Sequence, residues 1–142
     1  MIGVMVVTQG RLADELLSAA ETIAGRLENF RAVSLDWSDG LEVALRRIES
    51  GVRELDAGEG VLILTDMFGS TPSNAALAVA KSGAIEVITG VNLPMVLRLG
   101  CAANLPPTLS EAARWLEQKG KRSICRGIAP QVGVGEPQSH HD

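Results

Sequence analysis

The sequence predicts an α/β fold of three layers, a mainly parallel sheet of strand order 2-1-3-4 with helices on both faces. Three observations lead there. Residues 1–7 and 61–64 are unbroken apolar, β-prone runs, the pattern of strands covered on both sides. Each run ends in a polar or glycine break, and apolar residues at helical spacing follow. Strand-like and helix-like segments alternate along most of the chain, an order that implies parallel strands joined by right-handed helical crossovers.

The first strand, residues 1–7, is interrupted by Thr8-Gln9-Gly10. Leu12, Leu16, Leu17, Ala20 and Ile23 then fall on one helical face, with Gly25 near the helix end. Residues 30–37 read as the second strand. Ser38-Asp39-Gly40 is turn chemistry with a candidate N-cap, and Leu41, Val43, Ala44, Ile48, Val52 and Leu55 mark the second helix. Gly58-Glu59-Gly60 forms a loop before the third strand, which ends in Thr65-Asp66. In the next connection Ser70 or Thr71 can cap a helix, with Pro72 in its first turn, where a missing N–H costs nothing. That helix runs to about Lys81 and Gly83 stops it. Residues 84–89 are the fourth strand, and Pro94 opens a short helix to Leu99. Residues 110–119 form a last helix. Gly120 is its expected C′ residue, and Lys119, Lys121 and Arg122 suit the negative end of its dipole. Residues 122–128 alternate enough for a final, weaker strand. The tail, rich in Gly, Pro, Gln, Ser and His, is expected to be disordered, so the domain spans 1–128 and the tail 129–142.

Composition narrows the function. The chain has 142 residues, 46% of them hydrophobic, enough for one soluble domain with its own core and no staple of metal or disulfide. A net charge of −4 with no basic cluster argues against nucleic acid, because phosphate neutralisation needs grouped Lys and Arg. Aromatics are few and Tyr is absent, so a base-stacking surface is not expected. Cys101 and Cys125 are too far apart for a zinc pattern and read as buried small apolar residues. The start has no basic n-region, and no segment reaches the ~20 apolar residues that span a bilayer, so a cytoplasmic chain is expected. No metal or cofactor is expected.

In a 2-1-3-4 sheet the switch point lies between the carboxyl ends of strands 1 and 3, where open α/β sheets bind ligands. Those ends are Thr8-Gln9-Gly10 and Thr65-Asp66-Met67, and the helix start at residues 70–74 points into the same crevice, where an anion is favoured. The phosphate-cradling G-x-x-x-x-G-K-[ST] and G-x-G-x-x-G loops are missing, as is the G-x-S-x-G elbow. A phospho-receiver would need acidic residues after strand 1, where Gln9 stands. Asp66 can orient an imidazole, bind a metal or cap the following loop. His140 and His141 are the only histidines and sit in the tail, outside any catalytic role.

The segments GVMVVTQGRLADELLSAAE, GVLILTDMFGSTPSNAA and EVITGVNLPMVLRL, in this order and spacing, resemble the enzyme IIA domain of the mannose-type phosphoenolpyruvate-dependent sugar phosphotransferase system. The likeness covers about residues 1–128. It implies a phosphate relay. A histidine at the end of strand 1 takes a phosphoryl group from the histidine-containing phosphocarrier protein and passes it to a IIB component. The IIB component phosphorylates a sugar entering through a membrane complex, so membrane association is at most indirect. The resemblance gives Asp66 the task of hydrogen-bonding the imidazole and fixing its tautomer, and places Thr8, Ser70 and Thr71 beside the phosphate. It also implies a homodimer in which the last, antiparallel strand, here residues 122–128, is exchanged between subunits.

One departure overrides the rest. The family has Thr-His-Gly where this chain has Thr8-Gln9-Gly10. An imidazole nitrogen is a good nucleophile near neutral pH, whereas a Gln amide has its nitrogen lone pair delocalised. Gln9 can fill a similar volume and hydrogen-bond, but it cannot carry phosphate. A smaller departure is Ser70, where the family usually has a second Gly. Three readings stay open: a phosphoryl carrier whose active histidine is replaced here, a non-catalytic paralogue that binds phosphotransferase-system proteins, and an anion-binding module that kept only the fold.

Overall fold

Periodicity decides the layers. In β1 (Gly3–Gln9) and β3 (Val61–Thr65) successive side chains point to opposite faces, so a continuous apolar run supplies two cores at once. Val4, Val6, Leu62 and Leu64 face one core, while Met5, Val7, Val61 and Ile63 face the other. The computed structural model describes residues 1–81 and 83–128. The remaining elements are α1 (Leu12–Ala24), β2 (Phe30–Leu35), α2 (Leu41–Leu55), α3 (Thr71–Ala80), β4 (Ile85–Thr89), α4 (Leu93–Cys101) and α5 (Leu109–Arg122).

The sheet is all parallel with order β2-β1-β3-β4, as the sequence predicts. α1, α4 and α5 bury Ala13, Ala20, Met95, Val96, Leu99, Ala112 and Leu116 against one face. α2 and α3 bury Ala44, Ile48, Ala75, Ala76 and Val79 against the other. The register pairs Val7 with Thr65 and Gln9 with Leu35, so β1 runs two residues past the end of β3. That overhang leaves the end of β1 unpaired with β3 at the switch point.

Four expectations are corrected. Residues 122–128 are not a strand here: Arg122 is the last residue of α5, Ser123 caps it, and 124–128 take no regular structure in the single chain. A strand needs a neighbour to receive its hydrogen bonds, and in this chain alone the segment has none. Gly120 is not the C′ residue either. α5 runs through it, and a Cβ there would lie 2.8 Å from Met95 Sδ, so the glycine lets α5 close on α4. Cys101 and Cys125 are exposed, not buried: one ends α4 and the other follows α5, where the chain leaves the core. Trp37 lies beyond β2 in a turn and is 74% exposed. The tail, with His140 and His141, lies outside the described residues.

Candidate functional site

The site grows from the overhang of β1. Past Thr65 there is no β3 backbone to pair with Gln9, and the side chain of Asp66 takes over. Its Oδ2 accepts the Gln9 N–H at 3.1 Å. Its Oδ1 accepts the Met67 N–H at 2.8 Å and the Ser70 hydroxyl at 2.6 Å. A carboxylate offers about four acceptor positions, so one remains on Oδ2, the oxygen that also holds the Gln9 N–H.

Ser70 is the N-cap of α3, accepting the Ser73 N–H at 3.2 Å, with Pro72 in the first turn. One serine therefore starts the helix and holds the carboxylate. Beneath it, Ser73 is fully buried. Its hydroxyl donates to the Met67 carbonyl at 2.5 Å and receives Thr65 Oγ1 at 2.7 Å. With the Ser70 proton on Asp66 and the Ser73 proton on Met67, the Thr65 hydroxyl is the donor of that pair. The Thr65 carbonyl accepts the N–H groups of Gly90 and Val91 at 3.0 and 2.9 Å, which ties the end of β4 to the same network.

On the other side, Gly10 has φ +66°, a conformation that favours glycine, and its N–H donates to the Leu35 carbonyl at 2.7 Å. A Cβ at Gly10 would lie 3.1 Å from Trp37 Nε1, so the indole sits against this turn. The turn that carries Trp37 is tightly tied. Asp39 Oδ2 accepts the Asp36 N–H, Asp39 N–H donates to the Asp36 carbonyl, and Asp36 Oδ2 accepts both the N–H and the hydroxyl of Ser38. The Ser38 hydroxyl, then its N–H and that of Trp37, hold the Asp36 carboxyl below its ordinary value. Met67 and Phe68, in the loop that follows Asp66, are 65% and 77% exposed.

The fold brings Gln9, Asp66 and Ser70 together around one carboxylate, all half-buried. Thr71, the first residue of α3, lies at the same helix start. Thr8 is fully buried, and its hydroxyl accepts the Ala13 N–H at 2.7 Å, inside the first turn of α1. The Gln9 amide makes no hydrogen bond to another described residue. Ser73 and Trp37 are the residues that the sequence did not single out. Ser73 follows a capping serine by three positions, and Trp37 sits among Asp36, Ser38 and Asp39, a turn-rich setting for an aromatic. Among the described residues no cluster of His, Cys, Asp and Glu could hold a metal, and no helix is long and apolar enough to cross a membrane.

Comparison with known proteins agrees with this fold. The model of the family described as "PTS system fructose IIA component" matches residues 3–114. The "PTS system mannose-specific EIIAB component" of Escherichia coli strain K12 is 30% identical over 137 residues, which cover 96% of this chain and 42% of that protein. The chain thus spans less than half the length of that relative. The "PTS system sorbose-specific EIIA component" of Lacticaseibacillus casei is 33% identical over 102 residues, 71% of this chain and 73% of that protein. The solved "Mannose/sorbose specific IIA subunit of phosphotransferase system from Enterococcus faecalis" superposes with a TM-score of 0.81 at 27% identity, covering 92% of this chain and 98% of that one. The chain therefore belongs to the mannose-type enzyme IIA family of the sugar phosphotransferase system.

Proposed function

We propose that this chain holds the IIA position between the histidine phosphocarrier protein and a IIB component, and that in this form it binds them without carrying phosphate. The observation behind the proposal is the contrast within one site. The Asp66 carboxylate is held by three donors and keeps one acceptor position on Oδ2, the oxygen that holds the Gln9 N–H, where an imidazole N–H at position 9 would be received. Gln9 occupies that position and is no nucleophile. Ser70 and Thr71 border the place of the phosphate at the start of α3, and Thr8 supports it from beneath through α1.

Protein docking needs no phosphate. Trp37 beside the Gly10 turn, and Met67 and Phe68 in the loop after Asp66, are exposed apolar side chains, the kind of surface that proteins bury on association. The test is titration with the phosphocarrier protein. Binding is expected for the unaltered chain, and Trp37→Ala or Phe68→Ala weakens it about tenfold or more, as for the anchor residues of other interfaces. No binding to either the phosphocarrier or a IIB protein would overturn the proposal and favour an anion-binding module.

The proposal includes a homodimer with exchanged C-terminal segments. β4 is an edge strand, and a groove of about 400 Å3 runs along it between Phe68, Leu77, Met95 and Ile124. Ile124 borders this groove yet is about four-fifths exposed, as is Ile128, so the edge is left open and the groove accepts the segment of a second copy.

A further inference from the structure

The segment that would be exchanged leaves the domain at Ser123, and its point of departure is held by a side chain from the far side of the groove. Asn92 caps α4, its Oδ1 accepting the Met95 N–H at 3.0 Å. Its Nδ2 donates to Ser123 Oγ at 2.9 Å. The Ser123 hydroxyl donates in turn to the Gly120 carbonyl at 2.6 Å. The proton count fixes this arrangement: Ser123 spends its one proton on Gly120 and keeps a lone pair for the amide, while the amide oxygen faces an N–H donor. Both groups are partly buried, so the bond is shielded from water.

We propose that Asn92 is a positioning residue, a latch that sets the direction in which residues 124–128 leave α5 and so holds them ready to cover β4 of a second copy. The proposal rests on the exchanged dimer described above. Three placements support it. Ile124, one residue beyond the latch, already lines the groove with Val87, Thr89 and Met95. Asn92 follows directly on Gly90 and Val91, whose N–H groups are fastened to the Thr65 carbonyl. Thr65 in turn bonds Ser73, one residue pair away from Asp66 and Ser70. The root of the segment and the crevice at Gln9 are therefore anchored to one hydrogen-bonded frame, and a dimer closed through the latch is built onto the site.

Two variants isolate the latch from the cap. Asn92→Ser keeps a capping hydroxyl but is too short to reach Ser123. Ser123→Ala removes the acceptor and leaves Asn92 on Met95. Each chain is examined by sedimentation for its dimer dissociation constant and by amide exchange along β4 and residues 124–128. Either variant is expected to weaken the dimer about tenfold, since each of its two segments then leaves α5 unoriented and has to be ordered on association. Exchange along β4 speeds up, while at concentrations where both chains are monomeric the melting temperature of Ser123→Ala falls by only a few degrees. The double variant is no weaker than either single one, as for two partners of one bond. A dimer of undiminished strength with unchanged exchange overturns the latch and leaves the dimer standing. A parent chain that remains monomeric at every concentration overturns the dimer and the latch with it.

Discussion

Asp66 takes three hydrogen bonds, and each donor comes from a different backbone feature: the overhang of β1, the first residue of the loop, and the cap of α3. Asp66→Asn replaces an acceptor by an NH2 group and leaves one of those donors facing another donor. A loss of about 2 kcal/mol is expected in denaturant unfolding, and Gln9→His/Asp66→Asn should label far less with phosphate than Gln9→His alone. Ser70→Ala removes both a cap and a hydrogen bond to a charged group, and about 2 kcal/mol is again expected. Asp66 and Ser70 were legible in the sequence, because an Asp closing an apolar strand and a Ser two positions before Pro72 each follow from local rules. Ser73 was not. Its part depends on meeting Thr65, eight residues away, and no local spacing encodes that closure. Cys101 and Cys125 mislead for a related reason: apolar character says nothing about which way a residue faces at the end of a helix.

The turn of residues 36–39 and the start of α3 are the two elements that frame position 9. In the turn, the Asp36 pKa is lowered from 3.8, so the folded form binds its proton less readily than the unfolded form. The stability this contributes is fully present above the unfolded value and is lost as pH falls through the folded one. Ser38→Ala should therefore unfold more easily than the parent at neutral pH, with the difference fading below about pH 3.8; acid titration of both chains in denaturant checks this. The same turn explains the misplacement of Trp37. An aromatic at the end of a β-prone run reads as strand, and only the closure of Asp36 on Asp39 moves it out to the surface. The N-terminal start of α3, by contrast, was readable residue by residue, since Ser70, Pro72 and the alanines after them obey capping and propensity rules without tertiary help.

At the scale of the molecule, the parallel sheet and its order follow from alternation, and the two apolar strands β1 and β3 carry both cores. Leu62→Ala, at a fully buried position in the middle of β3, should cost about 3 kcal/mol without changing the dimer or the site. Residues 122–128 show the limit of such reasoning: alternation marks a segment able to pair, but whether a neighbour is there is a property of the assembly. The location of the site is likewise a property of topology, whereas its chemistry turns on one side chain. The chain is proposed to keep a phosphorelay site and to lack its phosphate acceptor. Intact mass after incubation with phosphoenolpyruvate and the two general relay proteins tests this proposal most directly. No added phosphate is expected on the unaltered chain, and one acid-labile phosphate on Gln9→His. An acid-labile phosphate on the unaltered chain would contradict it, and so would a Gln9→His chain that stays unlabelled while folded.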